Sequence, residues 1–105
     1  EIVAMSGAIL CANRLNIPVM LDGFVSAVAA LVACRFNEKC ARILIAPTST
    51  RERAHFWVLN ELGLSPLFNL KLGYGEGIAA GLGLFLLEIA NDFRFLQDLE
   101  CYKEN

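Results

Sequence analysis

Two short apolar runs, each closed off by turn residues, constrain the fold of this chain more than any other feature. Ile17-Pro18-Val19-Met20-Leu21 lies between Asn16 and Asp22-Gly23. Ala41-Arg42-Ile43-Leu44-Ile45-Ala46 follows the polar turn Asn37-Glu38-Lys39 and stops at Pro47. Runs this short and this apolar read as strands buried on both faces. Helical segments alternate with them. Residues 2–15 carry a face of small residues, Ala4, Gly7, Ala8 and Cys11, suited to close packing on a neighbour, and end at Asn16 and Pro18. Residues 24–36 form a second apolar helix rich in Ala and Val.

Farther on, Ser49-Thr50-Arg51-Glu52 fits a capping box with Ser49 as N-cap, opening a helix to about residue 62. Gly63 stands where a left-handed C-cap glycine is expected. Residues 65–70 lead extended to Gly75-Glu76-Gly77, and a last helix is expected over 78–99. Its apolar face holds Leu82, Phe85, Leu86, Ile89, Ala90 and Phe93, against Glu88, Asn91 and Asp92 outside.

Helices alternating with two-face-buried strands predict an α/β fold: a parallel sheet covered by helices on both faces, a Rossmann-like three-layer arrangement with right-handed crossovers. In such sheets ligands sit beyond the carboxyl ends of the strands. Asp22-Gly23-Phe24, Pro47-Thr48-Ser49-Thr50 and Gly75-Glu76-Gly77 occupy that position, and the polar candidates gather there. Glu76 is the most telling of them. Glycines on both sides offer it no packing partner and let a ligand come close, so it reads as a carboxylate presented to something bound. The plainer reading is a tight strand-to-helix turn.

With 105 residues, 56% hydrophobic and 19% charged, the chain is a folded body and not a disordered one. So apolar a short chain leaves apolar surface over, which another domain or subunit is expected to cover. The sequence starts inside a helical pattern without Met, so residues 1–105 read as the C-terminal piece of a longer polypeptide, a partial domain. Net charge is −2 with scattered basic residues, which excludes a nucleic-acid footprint. No signal peptide is visible, and the longest apolar runs, 24–34 and 78–87, are too short to span a bilayer. A cytoplasmic location without membrane contact is expected. Cys11, Cys34, Cys40 and Cys101 form no C-x-x-C pair and read as buried free thiols, with neither a metal site nor a cofactor expected.

Four stretches in order carry a family resemblance: Glu1-Ile2 with Met5-Ser6-Gly7-Ala8; Ile17-Pro18-Val19 with Leu21-Asp22-Gly23-Phe24; Leu44-Ile45-Ala46 with Glu52 and His55; and Leu62-Gly63-Leu64 with Pro66-Leu67 and Gly75-Glu76-Gly77. Together they resemble the C-terminal part of nicotinate-nucleotide–dimethylbenzimidazole phosphoribosyltransferases, enzymes that make the lower-ligand nucleotide of cobalamin. Family members are roughly three times this long. The resemblance implies transfer of phosphoribosyl from nicotinate mononucleotide to a benzimidazole base, with Glu76 as general base. It implies that Thr50 takes the place of a nucleotide-contacting Ser, and that Gly23, Phe24, Ser49, Tyr74, Gly75 and Gly77 line the substrates. A homodimer, or pairing with the missing N-terminal part, is the implied assembly. The alternative is a truncated or degenerate relative acting only as a binding module.

Several readings stay open. Asp22 either bonds a ribose hydroxyl or ends its strand and caps the next helix. Ser49 and Thr50 either meet the phosphate at a helix N-terminus or only cap that helix. His55 is the only histidine, and its position on a helix face suits a structural role. Phe56 and Trp57 read as core or interface. Three departures from the family pattern stand out: Ile78-Ala79 where Thr-Gly is usual, Tyr74 in place of an aliphatic residue, and Thr48 in place of a frequent His.

Overall fold

The structure, a computed structural model, describes residues 1–72 and 77–104. Its base is a pair of packed helices, α1 (Ile2–Leu15) and α2 (Phe24–Phe36). Ala27, Ala29, Ala30 and Ala33 of α2 are fully buried, and their small side chains let the two backbones approach. The hydroxyl of Ser6 lies 2.9 Å from the Ala29 carbonyl and 2.8 Å from that of Ile2, tying α1 to α2. α1 packs through Ser6 and Ile9. Its stripe of small residues, Ala4, Gly7, Ala8 and Cys11, faces outwards. The expected close-packing face is therefore not the one used within the described residues, because the opposite face supplies Ile9 and buries more apolar area. α1 closes at Asn16, whose φ of 55° is left-handed.

Four short strands lie between the helices. β1 (Val19–Met20) pairs in parallel with β2 (Leu44–Ile45), Val19 opposite Leu44 and Met20 opposite Ile45. β3 (Thr48–Thr50) pairs in parallel with β4 (Phe68–Leu72). Between these pairs Leu67 N donates to Ala46 O at 3.0 Å and Phe68 N to Pro47 O at 2.8 Å. Residues 44–50 thus serve β1 with their first half and β4 with their second. The change of partner falls at Pro47, which has no N–H to give a ladder. What stands is a mixed α/β body with two small parallel sheets.

Two expected boundaries move. Residues 38–43 wind into a 3-10 turn, Glu38–Ile43, so only Leu44–Ile45 of the second apolar run is strand. The Asn37 side chain accepts from Lys39 N at 3.1 Å and starts that turn, while Cys40 anchors it in the core. The capping box at Ser49 is replaced by a strand. Thr48 and Thr50 are β-branched and find β4 as a partner, so α3 (Arg53–Glu61) begins one turn later, with Glu52 as N-cap and no side-chain cap bond. Gly63 follows α3 with a φ of 69°, the left-handed closure expected of it.

The register of β3 on β4 slips, since Thr48 faces Phe68 while Thr50 faces Leu72. The Thr48 hydroxyl fills the gap by accepting from Leu70 N at 3.0 Å and donating to Ser49 O at 3.1 Å. Leu21, Leu44, Ala46, Leu59 and Leu62 complete the core over α2.

α4 (Ile78–Glu104) is 27 residues long, about 40 Å at 1.5 Å per residue. It rests on β1 near its start, where Ala79 and Gly83 are buried. Beyond Gly83 the side chains of Leu84, Phe85, Leu87, Phe93, Phe95 and Leu96 are all exposed. The apolar face expected on this helix has no cover among the described residues. Phe56 and Trp57 on α3 are also exposed and so lie outside the core. The free thiols differ in setting, with Cys11 exposed, Cys34 half-buried and Cys40 buried. No described helix is long and apolar enough to cross a membrane.

Candidate functional site

The carboxyl ends of β1 and β3 and the start of α4 come together at one end of the body. Asp22, just past β1, turns its carboxylate to α4: Oδ2 accepts from Gly77 N at 3.1 Å and Oδ1 from Ala80 N at 3.2 Å. The helix that follows Asp22 in sequence, α2, is capped otherwise. Ser26 Oγ accepts from Gly23 N and Asp22 N, both at 3.0 Å, and donates back to Gly23 O at 2.9 Å. A side chain at Gly23 would bring its first carbon to 3.7 Å from Thr50 Cγ2, so the β1 and β3 loops are in contact.

Thr50 in turn is held by His55. The Thr50 N–H donates to His55 Nδ1 at 3.1 Å, and the Thr50 hydroxyl lies 3.0 Å from the same nitrogen. A backbone N–H can only donate, so Nδ1 accepts and the neutral ring carries its proton on Nε2. His55 is 1% exposed, and its Nε2 has no hydrogen-bond partner among the described residues. Burial pushes the imidazole below its ordinary pKa, while the Glu52 carboxylate pulls weakly the other way. That shift favours the neutral ring, whose Nδ1 accepts the Thr50 N–H.

Ser49 Oγ bonds Asn69 Oδ1 at 3.0 Å and ties β3 to β4 on the outer side. Beside it lies an open cleft of about 340 Å³ lined by Ser49, Thr50, Arg51, Glu52, Arg53, Phe56 and Asn69. Two guanidinium groups, one carboxylate, two hydroxyls, an amide and an exposed aromatic ring line it, a set that leans positive and suits an anionic ligand carrying a flat or sugar-like part.

A family model described as phosphoribosyltransferase matches residues 1–100. The chain belongs to this phosphoribosyltransferase family. It is 44% identical over 90 residues to the nicotinate-nucleotide–dimethylbenzimidazole phosphoribosyltransferase of Bradyrhizobium sp. (strain ORS 278), covering 86% of this chain and 26% of that protein. It is 43% identical over 93 residues to the enzyme of the same name from Vibrio parahaemolyticus, covering 89% and 27%. Among solved structures, that of nicotinate-nucleotide–dimethylbenzimidazole phosphoribosyltransferase from Thermus thermophilus superposes with a TM-score of 0.81 at 38% identity, over 86% of this chain and 27% of that one. The chain thus spans about a quarter of the length of the relatives it matches.

Within this phosphoribosyltransferase segment the structure gathers Asp22, Gly23, Thr50 and Gly77 at one place, with Ser49 at its rim on the cleft. Phe24 is half-buried at the first residue of α2, next to Gly23. Tyr74, Gly75 and Glu76 lie outside the described residues. Of the departures from the family pattern, Thr48 is almost fully buried and serves the β3–β4 register, Ile78 is exposed, and Ala79 is buried against the body. Among the described residues no cluster of three His, Cys, Asp or Glu side chains could hold a metal ion.

Sequence reasoning about the phosphoribosyltransferase segment missed two contributors. Ser26 orders the Asp22-Gly23 turn and Asn69 holds Ser49. A signal existed for Ser26, which stands three residues after Gly23 as the second member of a capping pair does. None existed for Asn69, because its partner is set by the pairing of β3 with β4. His55 has the structural role expected of it, and Thr50 is its partner.

Proposed function

We propose that this segment forms the C-terminal part of a phosphoribosyltransferase that joins nicotinate mononucleotide to 5,6-dimethylbenzimidazole. The products are α-ribazole phosphate, the nucleotide of the cobalamin lower ligand, and nicotinate. The reading is carried by one observation: 44% identity over 90 residues to a relative named for that reaction. Glu76 is the general base. Its carboxylate takes the proton from one ring nitrogen of the benzimidazole as the other nitrogen attacks C1′ of the ribose. The C1′–nicotinate bond breaks, and its electron pair leaves with nicotinate. A positioned base of this kind supplies about a hundred- to ten-thousandfold in rate. Holding the flat base in line with the ribose supplies much of the remainder.

Gly23, Phe24, Tyr74, Gly75 and Gly77 frame the substrates in this reading. Thr50 and Ser49 offer hydroxyls to the nucleotide, and the cleft beside Arg51 and Arg53 takes its phosphate. The segment works inside a polypeptide of the relatives' length, or paired with a separate one. There the two strand pairs join a wider parallel sheet with helices on both faces. The exposed apolar side chains of α4 support that cover and support assembly as a homodimer. A cytoplasmic location suits free thiols and substrates of intermediary metabolism. Neither nucleic acid nor a membrane is a partner.

The non-catalytic reading draws on one feature, Ile78-Ala79 where Thr-Gly is usual. One experiment decides between them. The intact protein is incubated with nicotinate mononucleotide and dimethylbenzimidazole, and products are separated by chromatography. Equal amounts of nicotinate and α-ribazole phosphate are expected. Nucleotide binding without any product would favour the non-catalytic module.

A further inference from the structure

Asp22 sits at the end of β1, yet both of its carboxylate oxygens are engaged 55 and 58 residues farther along the chain, at Gly77 N and Ala80 N. The first N–H groups of any helix have no partner inside it, and a carboxylate placed there accepts them with the helix dipole in its favour. α2 leaves Asp22 free for this task because Ser26 serves the α2 start. A second contact fixes the same end of α4. A side chain at Gly83 would lie 2.5 Å from Met20 Sδ and 2.9 Å from Pro47 Cβ, so the helix rests on β1 and on the β2–β3 junction with no slack. From Leu84 to Asp98 every side chain but the half-buried Leu86 is exposed, so these two contacts fix where α4 begins among the described residues.

We infer that Asp22 is a positioning residue for Gly77 and the start of α4, and not a ligand of the ribose. Resting on the reading of Glu76 as base, this assigns Asp22 the task of fixing the residue that directly follows that base. Gly77 takes a φ of 78°, a left-handed conformation that glycine tolerates, and its N–H is held by the Asp22 oxygen. A displacement of about 1 Å in a reacting group costs about a hundredfold in rate. Losing the acceptor therefore affects the chemical step more than the binding of the nucleotide.

The test compares Asp22→Ala and Asp22→Asn in the intact protein, by steady-state kinetics with nicotinate mononucleotide and by hydrogen exchange. Asp22→Ala is expected to lower kcat about a hundredfold while the nucleotide KM stays within about twofold. Asp22→Asn keeps one acceptor oxygen and should recover at least about tenfold of that loss. The Gly77 and Ala80 amides should exchange faster in Asp22→Ala, while those of Leu21 and Ala27 stay protected. A nucleotide KM raised about tenfold or more in both variants with kcat kept would make Asp22 a direct ligand and overturn the inference. Unchanged exchange at Gly77 and Ala80 would also overturn it. Should Asp22→Ala fail to fold, Asp22→Asn carries the same kinetic split. If the unaltered protein makes no α-ribazole phosphate, the functional reading falls. Exchange at those two amides then still decides whether Asp22 sets the start of α4.

Discussion

Thr50, ahead of α3, and His55, in its first turn, are locked together: His55 Nδ1 accepts the Thr50 N–H at 3.1 Å and lies 3.0 Å from its hydroxyl. His55 is buried and Thr50 half-buried, so removing the imidazole leaves both a void and an unpaired N–H. His55→Ala is expected to destabilise the protein by about 2–4 kcal/mol, read from urea unfolding. A loss below about 0.5 kcal/mol would mean that the imidazole is not what holds Thr50.

The same residue gives the fold a pH dependence. Burial lowers the His55 pKa from its ordinary 6.5. The unfolded chain then binds more protons than the folded one as pH falls through that value. The His55 contribution is therefore complete above pH 6.5 and declines below it, levelling once the folded form also titrates. The urea midpoint should fall from about pH 7 to about pH 5.5, and His55→Ala should flatten that slope. Identical slopes in both proteins would contradict the assignment.

Gly83 and Gly81 make a matched pair on α4. Alanine favours a helix over glycine by about 1 kcal/mol at either site. At Gly81 nothing lies near the added carbon, so Gly81→Ala should stabilise by about that amount. At Gly83 the added carbon meets Met20, which can swing aside, and Pro47, which cannot. Gly83→Ala should destabilise by about 1–3 kcal/mol, seen as a lowered Tm. A raised Tm in both variants would show that α4 does not rest on Pro47.

The Thr48 hydroxyl is spent on the slipped register of β3 on β4. Thr48→Val keeps the shape and removes the acceptor for Leu70 N. The expected cost is about 1–3 kcal/mol in urea unfolding, with faster amide exchange at Leu70. Unchanged exchange there would place the repair elsewhere.

Local chemistry explains which parts of the fold were legible in the sequence. Helix ends were, because Asn16 and Gly63 take left-handed conformations that few residues tolerate. The strand cores Val19–Met20 and Leu44–Ile45 were, because they are apolar on both sides. β3 was not, since Thr48-Ser49-Thr50 suits a helix cap as well as a strand, and only the distant Phe68–Leu72 decides between them. Asp22 was read for a ribose or for α2. Its actual partners, Gly77 and Ala80, are nonlocal in a way no spacing rule captures. The meeting of the Asp22-Gly23 turn with Thr50 was legible, because both follow parallel strands.

The 105-residue chain by itself is expected to form no α-ribazole phosphate from nicotinate mononucleotide and dimethylbenzimidazole. It spans about a quarter of its relatives' length. Product from the isolated chain, followed by chromatography, would show that these residues suffice.

The central claim concerns Glu76, and one comparison tests it most directly. In the intact protein, Glu76→Gln keeps the size of the side chain and removes its ability to take a proton. Product formation should fall about a hundred- to ten-thousandfold, while calorimetry shows nicotinate mononucleotide bound as tightly as before. A Glu76→Gln protein that makes α-ribazole phosphate within about tenfold of the unaltered rate would contradict the account.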